Sequence, residues 1–329
     1  MLTTAVQNCP KFGPRNASGN ASRNASCRNI CRGLSIIVGR NKGLSRAGEF
    51  FDADTCRLRN RLRLSAAYAH DRDAECSSLT RRGFGNAGPH AACACVPANT
   101  YRDGFGNVCH VINAPAGRIA LSADFLIRDS GAPDDVAPDA EQHPLEKLPV
   151  ETLVYLLGSR YCETDRFVKI AWSKFGNVPK GWPLVQAICD YVHERVKFGY
   201  EHASPTKTAW HAHSERRGVC RDFAHLAITL CRCMNVPARY CTGYLGDIGV
   251  PPDPEPMDFS AWFEVFLGGR WYTFDARHNT PRIGRILMAR GRDATDVAIT
   301  TSFGPCTLAG FKVVTDEAPE KAAAAQARR

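Results

Sequence analysis

Cys220 follows Gly218 and Val219 at the point where an amphipathic pattern begins. Val219, Phe223, Leu226, Leu230 and Met234 recur at spacings of 4, 3, 4 and 4. That rhythm predicts a helix with one apolar face and Cys220 in its first turn. Unpaired backbone N–H groups and the positive end of the helix dipole favour a thiolate there. A cysteine so placed gains nucleophilicity, and the same N–H groups could hold a developing oxyanion. A buried, inert cysteine is the competing reading, because most cysteines are small hydrophobes without chemistry.

A nucleophile of this kind needs a base and a group that orients the base. The stretch "SAWFEVFLGGRWYTFDARHN" supplies candidates. With Gly268-Gly269 as the two-residue turn of a type I′ hairpin, Leu267 faces Arg270, Trp262 faces Asp275 and Ser260 faces Arg277. Positions 260 and 275 then share one face as diagonal neighbours, about 7–8 Å apart at the backbone. A histidine at 260 would touch a carboxylate at 275.

The segments "GVCRDFAHLAITLCRCMNVPARYCTGYLG" and "AWFEVFLGGRWYTFDARHN" resemble the bacterial transglutaminase-like family, a branch of the papain-like cysteine enzymes. The resemblance runs from about Tyr101 to Thr315. It implies an α+β fold: a transglutaminase-like, papain-like core with the nucleophile helix packed on an antiparallel sheet, preceded by a partial β-domain. It also implies Cys220 as nucleophile, Asp275 as orienting carboxylate, a protein or peptide substrate, and acyl transfer at amide bonds through a Cys220 thioester. It implies no cofactor and no metal. The departure is Ser260, which stands where the family has its catalytic histidine. Serine is too short to reach Cys220, and its hydroxyl is no base at neutral pH. Two functions follow: a cysteine acyltransferase or protease impaired at its base, or a non-catalytic binding module that keeps the cleft.

Other histidines are candidates for the missing base. His211 and His213 fall in the expected loop before the Cys220 helix and could fold back near the thiol. His278 lies three residues beyond Asp275 and faces away if the strand continues. His225 lies about 140° round the helix from Cys220 and is expected to pack or cap. Asp222 is expected to fix the helix start. Cys231, Cys233 and Cys241 lack the spacing of a thiolate metal site and read as buried cysteines, as does Cys189.

The elements that must hold these residues read as helices first and strands afterwards, which predicts α+β with an antiparallel sheet. Helical patterns cover Val150–Leu157, about Thr164–Phe175, and a segment opening at Pro183 with Leu184, Ile188, Tyr191, Val192 and Val196 on one stripe. Strand patterns cover "ARYCTGYL", "SAWFEVFL" and "RWYTFDA". Further upstream, Ile119, Leu121, Ala123, Phe125 and Ile127 alternate as in a strand.

The net charge of +9 is concentrated at one end. The first 95 residues carry 15 Lys and Arg against 6 Asp and Glu, and the rest carry 27 of each. A basic, nucleic-acid-binding face on the main domain is therefore not expected. No run approaches the roughly 20 apolar residues of a membrane span, and no secretory leader is read, so a cytoplasmic location with reduced thiols is expected. The expected organisation is an atypical extension over residues 1–95 without a packed core, a β-domain remnant and linker over 96–145, the transglutaminase-like domain over 146–316 and a flexible tail over 317–329.

Overall fold

The computed structural model describes residues 34–37, 57–67, 98–114, 118–253, 257–304 and 306–317. Near the N-terminus lie five strands: β1 (Leu34–Ile37), β2 (Arg57–Ala67), β3 (Ala98–Arg102), β4 (Val108–Ile112) and β5 (Arg118–Arg128). Two 3-10 segments, Leu145–Lys147 and Val150–Leu156, lead into α1 (Thr164–Phe175) and α2 (Trp182–Arg195). Then come β6 (Lys197–Phe198), α3 (Ala209–Glu215), β7 (Arg217–Gly218) and α4 (Cys220–Cys233). A run of strands completes the chain: β8 (Ala238–Leu245), β9 (Ser260–Leu267), β10 (Arg270–Phe274), β11 (Arg285–Gly291), β12 (Thr300–Ser302) and β13 (Thr307–Glu317).

The central sheet is antiparallel, in the order β10-β9-β8-β11. The β9–β10 hairpin has the register expected from its glycines, with Leu267 opposite Arg270 and Phe263 opposite Phe274. Gly268 and Gly269 both take positive φ, +54° and +85°, as a type I′ turn demands. Helix α4 lies on this sheet and is flanked by α1, α2 and α3. Leu226, Ile228 and Leu230 on α4 and Phe263 and Val265 on β9 are fully enclosed in the resulting core. Each such side chain contributes about 1.5–3 kcal/mol.

The sequence pattern predicts one apolar face for α4, but every residue from Arg221 to Cys233 is buried. The polar residues on its other faces are accommodated by specific partners. Asp222 Oδ2 accepts the Val219 N–H at 3.0 Å, which fixes the helix start as expected. Thr229 Oγ1 donates to the His225 carbonyl at 2.7 Å. His225 Nε2 accepts the Ala294 N–H at 3.1 Å, and its ring stacks on Tyr161. Cys189, Cys231 and Cys241 are buried, as expected. The eight described cysteines are free thiols, and no group of metal-ligating side chains occurs among the described residues.

A second core joins Ile112, Ile119 and Leu121 to Tyr244, Phe259, Met288 and Val313. It lies between the central sheet and two smaller antiparallel sheets, ordered β12-β1-β4-β3 and β13-β2-β5. Two departures from the expected organisation follow. Strands β1 and β2 fall inside the stretch read as an extension; the remainder of residues 1–95 lies outside the described residues, as does most of the tail read over 317–329. Strands β12 and β13 pair with β1 and β2, so the β-unit draws on both ends of the chain rather than on residues 96–145 alone. The alternation Arg57-Leu58-Arg59-Asn60-Arg61-Leu62-Arg63-Leu64 is a period-2 strand signal that the basic composition obscures. No helix among the described residues is long and apolar enough to cross a membrane.

Candidate active site

Cys220 is the first residue of α4, and Ser260 is the first residue of β9. The packing of α4 on β9 brings them to one small cavity, whose volume is about 30 Å³. Both residues line it, together with Tyr200, Tyr240, Asp258 and Phe259. Cys220 Sγ stands 4.0 Å from the Phe259 carbonyl oxygen, and the Ala261 backbone N–H acts on the same sulfur. The sulfur therefore faces the opening residues of β9, with Ser260 between its two backbone neighbours. Ser260 is 7% exposed, and its Oγ is buried without a hydrogen-bond partner. Its carbonyl, by contrast, accepts the Thr242 hydroxyl at 3.1 Å. Directly opposite Ser260 on β8 is Gly243, where a Cβ would strike the Ile286 carbonyl of β11; only glycine allows the sheet to close at this point.

Asp275 is not on the strand continuation that the hairpin register suggests. Strand β10 ends at Phe274, and the chain turns, with the Asn279 N–H donating to the Asp275 carbonyl at 2.7 Å. The carboxylate closes this turn. Oδ1 accepts the N–H groups of Arg277 (2.9 Å) and His278 (3.2 Å). Oδ2 accepts His278 Nδ1 at 2.8 Å and the Arg285 guanidinium at 2.9 Å. Arg285 is itself held by Asp134 at 2.7 Å. Burial works against the ionised form of Asp275, but the His278 hydrogen bond and the Arg285 charge prevail and hold its pKa well below the usual carboxylate range. Asp275 does not line the cavity, although its charge is felt at Cys220.

This arrangement corrects the expectation for His278. Strand alternation would point it away from Asp275, but the turn at 275–279 brings its ring back onto the carboxylate. His211 and His213 are likewise not placed in a loop over Cys220. Both lie on α3. His211 Nδ1 is engaged by Thr208 at the helix start, 2.9 Å from Oγ1. His213 Nε2 lies 3.0 Å from the Tyr191 hydroxyl, and its ring packs edge-on against Phe167. Burial and the nearby Arg195 push the His213 pKa down to about 4. Among the described residues no histidine lines the Cys220 cavity.

The thiol also differs from the sequence expectation. Burial pushes the Cys220 pKa up, outweighing the Arg277 charge and the Ala261 N–H, which act the other way, while Asp275 and Asp222 add to the rise. A helix start alone does not make a thiolate in a dry setting. Alkylation of Cys220 by iodoacetamide should therefore begin at higher pH in the native protein than in the same protein unfolded in guanidinium. A native profile shifted to lower pH, followed on the Cys220 peptide by mass spectrometry, would contradict this.

Residues 175–276 match the model of the transglutaminase-like superfamily. An uncharacterised protein of Mycobacterium leprae is 40% identical over 86 residues, which cover 25% of this chain and 30% of that protein's length. An uncharacterised protein of Mycobacterium tuberculosis is 28% identical over 223 residues, covering 60% of this chain and 69% of the relative. Among solved structures, a candidate cysteine protease from Cytophaga hutchinsonii is 25% identical with a TM-score of 0.60, and the match covers 82% of this chain and 93% of that one. The matched region spans α2 through the β9–β10 hairpin and contains Cys220, Ser260 and Asp275. With its cysteine helix packed on the antiparallel sheet, this region is a transglutaminase-like core, similar to those of the transglutaminase-like superfamily.

Proposed function

We propose that this chain is a transglutaminase-like protein whose Cys220 cleft binds a protein or peptide segment while amide chemistry is suppressed for want of a base. The observation that carries this reading is Ser260. A buried hydroxyl without a partner stands beside the thiol, at the position where the family has a histidine. The orienting carboxylate, Asp275, is committed to its own turn.

The full reaction would begin with removal of the thiol proton. The thiolate sulfur would bond to an amide carbonyl carbon, the C–N bond would break, and the amine would leave with a proton. Water or another amine would then take the acyl group from the Cys220 thioester. Both proton transfers call for a positioned base, which is typically worth about 10²–10⁴ in rate. Without one, a half-buried thiol whose pKa is raised is a poor nucleophile.

A second reading is supported by the helix start at Cys220 and by the Arg277 charge, which favours the thiolate. In that reading the protein is a slow cysteine acyltransferase or protease acting through the same thioester. The two are separated by comparing wild type with Cys220→Ala on peptidyl p-nitroanilides and on casein with a fluorescent primary amine. The binding reading expects equal, background turnover from both proteins and equal affinity for the peptides. Turnover that vanishes with Cys220→Ala would establish the enzyme instead.

A further inference from the structure

We propose that the cavity beside Cys220 is a binding site for an imidazole base, free or carried on a histidine side chain of a bound peptide, seated against the Ser260 hydroxyl. The inference rests on the base-less reading above and names the chemistry that the cleft accepts. Ser260 Oγ is enclosed and has neither donor nor acceptor satisfied. A buried hydroxyl in that state is costly unless something completes it. The other polar group of the same residue is already used, since its carbonyl takes the Thr242 hydroxyl. Imidazole carries one donor and one acceptor nitrogen, so one can meet Ser260 Oγ while the other faces the thiol. The Cys220 sulfur lies against the backbone on either side of Ser260, so a ring on Ser260 is a neighbour of that sulfur.

The walls suit such a ring. Tyr200 and Tyr240 offer aromatic surface to a flat heterocycle. Arg221 and Asp258 both line the cavity, so its charged walls are of both signs, which favours a neutral ligand over an ion. A water molecule would also complete Ser260, but it would add no base. That difference makes the test.

The probe reaction is alkylation of Cys220 by iodoacetamide at neutral pH. Bound imidazole takes the thiol proton and becomes imidazolium. The sulfur forms a bond to the iodoacetamide methylene carbon, the C–I bond breaks, and iodide leaves with its electron pair. Rates are followed on the Cys220 peptide of the full chain at constant pH and ionic strength. Cys306, half-buried and outside the cavity, is the reference in the same molecule.

Imidazole should accelerate Cys220 saturably by at least about tenfold, below the 10²–10⁴ typical of an evolved general base, and should leave Cys306 with no saturation. Ser260→Ala removes the hydroxyl without adding bulk to the cavity and should raise the half-saturating concentration several-fold. The tripeptide Gly-His-Gly, compared with Gly-Ala-Gly, separates the two sources. Half-saturation below that of imidazole assigns the base to a peptide, and half-saturation above it assigns a free small molecule. A linear or absent response at Cys220 overturns the site, and an unchanged response in Ser260→Ala overturns the seating on Ser260. These results are independent of amide turnover in imidazole-free buffer, which alone judges the base-less reading.

Discussion

Ser260→His should raise amide turnover by about 10²-fold, and Ser260→His combined with His278→Ala by about 10³–10⁴-fold, within the range of a positioned general base. The first variant returns an imidazole to the start of β9, where Cys220 Sγ already lies. The second removes its competitor. A carboxylate has about four lone-pair sites, and Asp275 uses four: the N–H groups of Arg277 and His278, His278 Nδ1 and Arg285. The two backbone bonds are fixed by the turn, and Arg285 is buried and clamped at its other end by Asp134. Only the His278 ring, with 22% of its side chain exposed, can leave cheaply. A new imidazole at 260 must therefore displace His278 before Asp275 can orient it. His278→Ala alone should stay at background, because Ser260 still offers no base. The check is steady-state turnover of a peptidyl p-nitroanilide by the four proteins. Equal rates for the single His variant and the double variant would show that His278 does not compete. A folded Ser260→His protein with no gain, alone or with His278→Ala, would show that the cleft no longer presents a substrate carbonyl to Cys220.

Most of the scaffold was legible because its signals are local. The periodicities of α1 and α2, the strand β8 and the Gly-Gly hairpin need only neighbouring residues, and the structure has them where the pattern puts them. That Cys220 and Ser260 share a cavity was legible only through the family resemblance, which also put Asp275 in that cleft, where it does not line the cavity. What escaped depends on where a pattern stops. Strand alternation predicts that Asp275 and His278 face apart, yet β10 ends one residue before Asp275. The helix α3 is only seven residues long and was hidden by its polar sequence, so His211 and His213 read as loop residues. Strand β2 was hidden by composition, since its alternating arginines suggest an unstructured basic segment. The raised Cys220 pKa was illegible for a different reason. Helix position can be read from spacing, whereas desolvation depends on what the whole fold packs around the thiol.

Arg232 escaped as well, and replacing it should have the largest effect on stability. It lies between Cys231 and Cys233 near the end of α4, 3% exposed, where the helical pattern leaves an arginine to solvent. Burial works against its charge and pulls its pKa down. Its five N–H donors make five hydrogen bonds. Nε and Nη2 donate to the Ala238 carbonyl at 3.1 and 2.9 Å, and Nη2 also to the Arg292 carbonyl at 2.5 Å. Nη1 donates to the Leu157 carbonyl at 2.9 Å and to Ser159 Oγ at 3.2 Å. One planar fork thereby ties the cysteine helix to the segment before α1, to the start of β8 and to the loop after β11. Arg232→Met fills similar space but orphans these acceptors, each costing about 1–3 kcal/mol and not strictly additive. A net loss of about 3–5 kcal/mol is expected, at the severe end for single substitutions. Arg232→Lys keeps the charge but offers three donors from one point, which cannot span acceptors on three segments, and should recover less than half of the loss. Guanidinium denaturation of the full chain measures both. A wild-type midpoint for Arg232→Met would show that the fork adds nothing. Full recovery by lysine would assign the effect to charge rather than to the geometry that anchors α4.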